Sequence, residues 1–242
     1  MRIAAGAAKI FFALLVVAFG MLVCAGKGAM TRAAFSRVKL RWNALIAASL
    51  GVRVRVSGES PAEGALLLAN HISWLDPIVV GARWRATFLA TSEIAAWPAL
   101  GWLIRKSGVL FIARGRGAQQ AGVEIGAALR ARRRVVIFPE GRTGDGRSVA
   151  RFKPRLLQAA LDAGAPLQPV ALRYRDAAGE VVTRHSFADA TLLQSVWACV
   201  CGPAITAEIR VFPPLSRDED GEERRHLALR AEEMVRAAVE EK

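Results

Sequence analysis

The sequence predicts an α/β fold: a mixed, largely parallel sheet flanked by helices, with an N-terminal membrane-anchoring helix and a basic interfacial helix ahead of it. Three observations lead there. Short apolar runs of strand character recur through residues 51–215. Helix-like stretches fall between several of them, the pattern of a sheet with parallel or mixed pairing. Before all of these stands a stretch of seventeen residues, 10–26, that carries no charge.

That first stretch, IFFALLVVAFGMLVCAG, is bracketed by Lys9 and Lys27. A straight crossing of the ~30 Å hydrocarbon core takes about 20 residues, so a segment of this length spans or enters a single leaflet. Ala25 and Gly26 resemble a cleavage site, but Lys27, Arg32, Arg37, Lys39 and Arg41 follow at once, which is the flank of a retained anchor. From 30 to 50, basic residues alternate with Phe35, Val38, Leu40, Trp42, Leu45 and Ile46, and no acid interrupts them. Such a helix suits the headgroup region, where each cation gains ~1 kcal/mol from anionic lipid. Residues 1–50 are therefore read as anchor and basic amphipathic helix, and 51–242 as the α/β domain. If the segment spans, positive charge after the apolar run is expected to put that domain on the cytoplasmic side of the inner membrane.

After Gly51, VRVRV alternates strictly. Residues 65–70, 86–91, 109–113, 135–138, 167–172 and 207–212 then read as short apolar strands. Helices are expected at 77–81, 97–106, 118–132 and 154–163. The segment 222–242 spaces Leu227, Leu229, Met234, Val235 and Ala238 as a helix that packs outside the sheet. Turn-rich loops are expected at 141–147 and 175–179.

Composition narrows the function classes. With 53% hydrophobic and 23% charged residues the chain is neither disordered nor a fibrous repeat. A formal charge of +13 calls for an anionic partner. Residues 1–60 hold nine basic residues against the single acid Glu59, so the excess sits beside the apolar stretch and points to an anionic membrane surface. No zinc finger, RNA-binding motif or aromatic interleaving supports nucleic acid. Cys24, Cys199 and Cys201 form neither a disulfide framework nor a zinc site.

Of three histidines, His71 has a suggestive setting: Asn70-His71-Ile72-Ser73-Trp74-Leu75-Asp76-Pro77, at the end of an apolar strand. A spacing of five puts His71 and Asp76 about 140° apart on a helix and on opposite faces of a strand, so they meet only across a turn. Pro77 suits the first position of a helix, which makes Asp76 its natural N-cap. Downstream, FPEGRTGDGR (138–147) leaves a strand for a glycine-rich basic loop. Its N–H groups approach an anion closely, and Arg142 and Arg147 add forked donors, so a phosphate fits there. Glu140 is acidic for such a site, and is expected to address a hydroxyl. A third block, 106–114, ends in Arg114.

Together these blocks resemble the glycerolipid (lysophosphatidate-type) acyltransferase family, whose ordered motifs are NHxxxxD, GxxFIxR, FPEG and a proline-containing strand. Here they are His71 to Asp76, Gly108 to Arg114, Phe138 to Gly141, and Ala165-Pro166-Leu167-Gln168-Pro169-Val170. The chain departs at Thr91, where the family commonly has Lys, and at Arg142, which takes the usual place of a Thr and is followed by Thr143. Both lie near the acceptor site and bear on the headgroup.

The resemblance implies acyl transfer from a thioester, on acyl carrier protein or coenzyme A, to the free hydroxyl of a membrane monoacyl lipid. His71 is then the general base and Asp76 its orienting partner. Arg114, Arg142 and Lys153 would hold the acceptor phosphate, with Glu140, Gly141 and Thr143 completing the acceptor site. No nucleophile elbow is present, so direct attack is expected, with no metal or cofactor beyond the thioester co-substrate. The acceptor implied first is lysophosphatidic acid, giving phosphatidic acid, with lyso-ornithine lipid as the alternative. A non-catalytic anionic-lipid-binding protein is the reading from another class.

Overall fold

All seven apolar runs become strands: β1 (Val52–Gly58), β2 (Leu66–Ala69), β3 (Ala86–Thr91), β4 (Leu110–Ile112), β5 (Arg134–Ile137), β6 (Leu167–Arg175) and β7 (Ile205–Val211). The helices are α1 (Arg2–Ala25), α2 (Arg32–Ser49), α3 (Asp76–Gly81), α4 (Leu100–Lys106), α5 (Ala118–Arg130), α6 (Gln158–Asp162), α7 (Leu192–Cys201) and α8 (Arg224–Glu240). The structure, a computed structural model, describes residues 2–98, 100–113, 117–183, 186, 191–216 and 224–241.

The strands form one sheet in the order β1-β7-β6-β2-β5-β3-β4. Every neighbouring pair is parallel except β6 with β7, so the sheet is mixed and largely parallel, as expected. A parallel sheet has both faces covered, and its central strands are apolar on both. In β2, Leu66 and Leu68 face one layer, with α5, α6 and α8. Leu67 and Ala69 face the other, with α2, α3 and α7. The helix α7 was not foreseen. Its capping box, Thr191 with Gln194, was the legible signal for its start.

The N-terminal stretch forms a helical hairpin. Trp42 Nε1 donates to Val16 O at 2.7 Å, and a Cβ on Gly20 would lie 2.2 Å from the Trp42 ring, so only glycine lets α1 approach α2 there. Val16, Cys24, Phe35, Trp42 and Leu103 bury the seam between α1, α2 and α4. The outer side of α1 exposes Phe11, Phe12, Leu14, Leu15, Val17, Phe19 and Leu22. Among the described residues no helix is long and apolar enough to cross a membrane.

The expectation that α2 lays its cations on lipid needs correction at Lys39. This ammonium turns inward and donates to Ala86 O at 3.3 Å and Ser107 O at 3.2 Å. Burial first, then the charge of Lys27, lowers its pKa to about 8. Lys27 itself donates to Lys106 O at 3.0 Å. Arg32, Arg37 and Arg41 stay exposed.

Candidate active site

Neighbouring strands β2 and β5 run parallel and end on the same side. The connections leaving them go to opposite faces, α3 into one core and α6 into the other. Such a switch point is where open α/β sheets hold their ligands. His71 and Glu140 follow those two strand ends.

Asn70 closes β2. Its side-chain amide donates to Leu172 O at 3.0 Å and accepts from Leu172 N at 2.7 Å, replacing a rung of the ladder to β6. The chain then turns, with Asp76 N donating to Ser73 O at 3.1 Å. Across that turn His71 Nδ1 and Asp76 Oδ2 meet at 2.7 Å, the carboxylate fully buried and the imidazole 23% exposed. The acceptor on Asp76 fixes the proton on Nδ1 and leaves the lone pair on Nε2.

The capping role expected for Asp76 gives way to another. Asp76 opens α3, but the helix has no side-chain cap. Its Oδ2 reaches back to the N–H groups of Ile72 at 2.7 Å and Ser73 at 2.9 Å, and its Oδ1 accepts from the Tyr174 hydroxyl at 2.7 Å. A carboxylate without solvent gains more from gathering these donors than from capping a six-residue helix.

Glu140 is corrected as well. It is 3% exposed, and its two oxygens accept from His71 N at 2.7 Å and Ala150 N at 2.8 Å. These bonds lash the β5 loop to the histidine, so Glu140 holds the site and does not face a substrate hydroxyl. Burial pushes its carboxyl above the usual range, against the pull of those two N–H groups. Gly144 N returns a bond to His71 O at 2.7 Å, and the His71 ring stacks on Phe138 at 4.1 Å and 16°.

The other expected residues lie on the same loop. Gly141 has φ +69°, a left-handed backbone that favours glycine, and the end of the Lys153 side chain lies over it. Lys153 and Arg142 are exposed and Thr143 half-buried. Asp145 turns onto the backbone of Arg147 and Ser148, whose N–H bonds hold its carboxyl below the usual range. The loop is pinned by Ser186 Oγ to Gly144 O at 2.7 Å and by Phe152 N to the buried Glu232 at 2.7 Å. Arg114 lies outside the described residues.

Sequence reasoning missed two groups. Tyr174 continues the alternation of Val170 and Leu172 on β6, a period-2 signal that placed it under α3. Trp74 Nε1 donates to Ser195 Oγ on α7 at 3.0 Å, a contact no spacing announces.

A family model described as Acyltransferase matches residues 52–173, the segment that carries His71, Asp76 and the β5 loop with Glu140. The chain belongs to the acyltransferase family. This acyltransferase is 38% identical over 199 residues to a lyso-ornithine lipid O-acyltransferase of Pseudomonas aeruginosa, covering 82% of this chain and 76% of the relative. It is 34% identical over 204 residues to a 1-acyl-sn-glycerol-3-phosphate acyltransferase of Neisseria gonorrhoeae, covering 84% and 80%. The crystal structure of the 1-acyl-sn-glycerophosphate (LPA) acyltransferase PlsC from Thermotoga maritima superposes with a TM-score of 0.67 at 18% identity, over 100% of this chain and 97% of that one, a likeness of fold. The enzyme is thus an acyltransferase of the lysophospholipid type.

Proposed function

We propose that this enzyme moves a fatty acyl group from acyl carrier protein or coenzyme A to the free hydroxyl of lysophosphatidic acid, forming phosphatidic acid. One observation carries the reading: a buried carboxylate holds the His71 ring by Nδ1, with Nε2 left as a base beside a loop that exposes Arg142, Arg147, Arg151 and Lys153. The acceptor hydroxyl gives its proton to Nε2 as its oxygen attacks the thioester carbonyl. The tetrahedral intermediate collapses, the C–S bond breaks, and the imidazolium returns the proton to the departing thiolate. Asp76 keeps the ring in its tautomer and stabilises the imidazolium between the two transfers. The step calls for no metal or redox cofactor.

Charge supports a phosphate on the acceptor. Arg142, Arg147, Arg151 and Lys153 are exposed around the loop, while its one exposed acid, Asp145, is engaged by backbone N–H groups. Lyso-ornithine lipid is the second reading, favoured by the 38% identical relative. An ornithine headgroup brings an ammonium with its carboxylate, which four cations repel. The exposed apolar side of α1 is the proposed membrane contact, lying in one leaflet of the inner membrane with the body on its cytoplasmic side. Lysolipid and diacyl product both partition into bilayer, so a site at the interface meets its acceptor without extracting it.

The test offers a labelled acyl donor with each acceptor to purified enzyme in mixed micelles. Label is expected in phosphatidic acid, and its rate is expected to fall about 10³-fold in His71→Ala. Label in the ornithine product alone overturns the headgroup assignment. Full activity in a folded His71→Ala protein overturns the general base.

A further inference from the structure

Asp76 has a partner that none of the sequence motifs contains. Tyr174 is 1% exposed and its hydroxyl donates to Asp76 Oδ1 at 2.7 Å. The other oxygen, Oδ2, gathers His71 Nδ1, Ile72 N and Ser73 N at 2.7, 2.7 and 2.9 Å. Those three donors come from one turn, whereas Tyr174 comes from β6 on the far side of β2 in the sheet order. Rotation of the carboxylate about its Cβ–Cγ bond would carry Oδ2 away from the imidazole, and it would have to break the Tyr174 bond.

We propose that Tyr174 is a positioning residue for the proton transfer: by holding Oδ1 it sets the plane of the Asp76 carboxylate against His71 and draws off part of its negative charge. The inference rests on the reading of His71 as general base. The phenol suits the role, since burial first and then the Asp76 charge hold it well above the ordinary phenol range, and it stays a donor. The other titratable groups facing this assembly are Glu140 from the β5 loop and Cys199 from α7, and both are retained in the tests.

Losing the donor leaves more charge on Oδ2, which favours the imidazolium and keeps the base protonated to higher pH. In Tyr174→Phe the acid limb of the kcat/KM profile should therefore rise by ~0.5 pH unit or more. The kcat should fall about tenfold with KM within about twofold, the sign of an interaction spent on the chemical step. Tyr174 is the single tyrosine of the chain, so growth on 3-fluorotyrosine alters this position alone. The fluorinated phenol is the stronger donor, and its acid limb should move down.

Opposite movements of the two limbs establish the role. Limbs that stay put in both folded proteins, or move in the same direction, overturn it. If Tyr174→Phe does not fold, the fluorotyrosine protein decides alone. His71→Ala measured alongside separates the two failures. Activity retained there removes the general base and this inference with it. An inactive His71→Ala with unmoved tyrosine limbs removes only the inference.

Discussion

The loops that leave β2 and β5 meet at one end of the sheet and are built in opposite ways. In the β2 loop the polar groups turn inward: Asn70, Ser73 and Asp76 are buried, and Asp76 alone gathers four donors. In the β5 loop the buried carboxylate of Glu140 binds backbone, while Arg142, Arg147, Arg151 and Lys153 point to solvent. The first loop holds one geometry and the second presents charge. Reactivity needs an imidazole fixed within tenths of an ångström, and recognition of a headgroup needs only cations within reach.

Glu140 is where the two loops join, so breaking it should have the largest effect. A glutamine offers one carbonyl oxygen for two backbone N–H groups and turns its own NH₂ toward the other. Glu140→Gln is expected to lower stability by ~2–3 kcal/mol through a buried unsatisfied donor. It should also lower kcat by about 10²-fold, because His71 loses its tether. Denaturant midpoints and kcat on the same preparation check this. Wild-type values for both would mean that Glu140 does not hold the loops together.

The cationic loop predicts a smaller effect, confined to KM. Removing the head of Lys153 or Arg142 with alanine should raise KM for a phosphate-bearing acceptor by about fivefold, as expected for a partly solvated ion contact of ~1 kcal/mol. The kcat should change little, and added salt should shrink the difference between variant and wild type. An unchanged KM for both variants would free the loop of any part in headgroup binding. A fall in kcat without a change in KM would move these cations to the chemical step.

What was legible in the sequence follows the same division. All seven strands lie within their apolar runs or a few residues beyond, because burial on both faces writes itself into consecutive residues. The meeting of His71 and Asp76 was legible because a spacing of five just ahead of Pro77 admits only a turn. Orientation was not. An acid next to a basic loop looks like a substrate contact until the backbone N–H groups of His71 and Ala150 are seen to occupy it. Lys39 looks like its neighbours Arg37 and Arg41 until the helix is docked and its ammonium meets Ala86 O and Ser107 O. In both cases the deciding partner is a main-chain group, and main-chain groups carry no residue name to read.

Lys39 has the smallest expected effect on catalysis, and it sets the hairpin seam against both loops. Unfolded, its ammonium titrates near 10.5, and in the folded chain burial brings that to about 8. Below pH 8 the side chain is charged in both states and the folded protein bears the whole desolvation cost. Between pH 8 and 10.5 the unfolded state binds more protons, so this group makes stability rise with pH and adds nothing further above that window. Lys39→Met keeps the stem and removes the titration. Compared with wild type at pH 7, 8, 9 and 10, its unfolding free energy should lack that alkaline rise, the gap between the two proteins moving steadily in favour of wild type. A constant gap across the series would mean that Lys39 reaches water in the folded state, and that α2 sits less tightly on β3 and the α4–β4 loop than its two carbonyl contacts require.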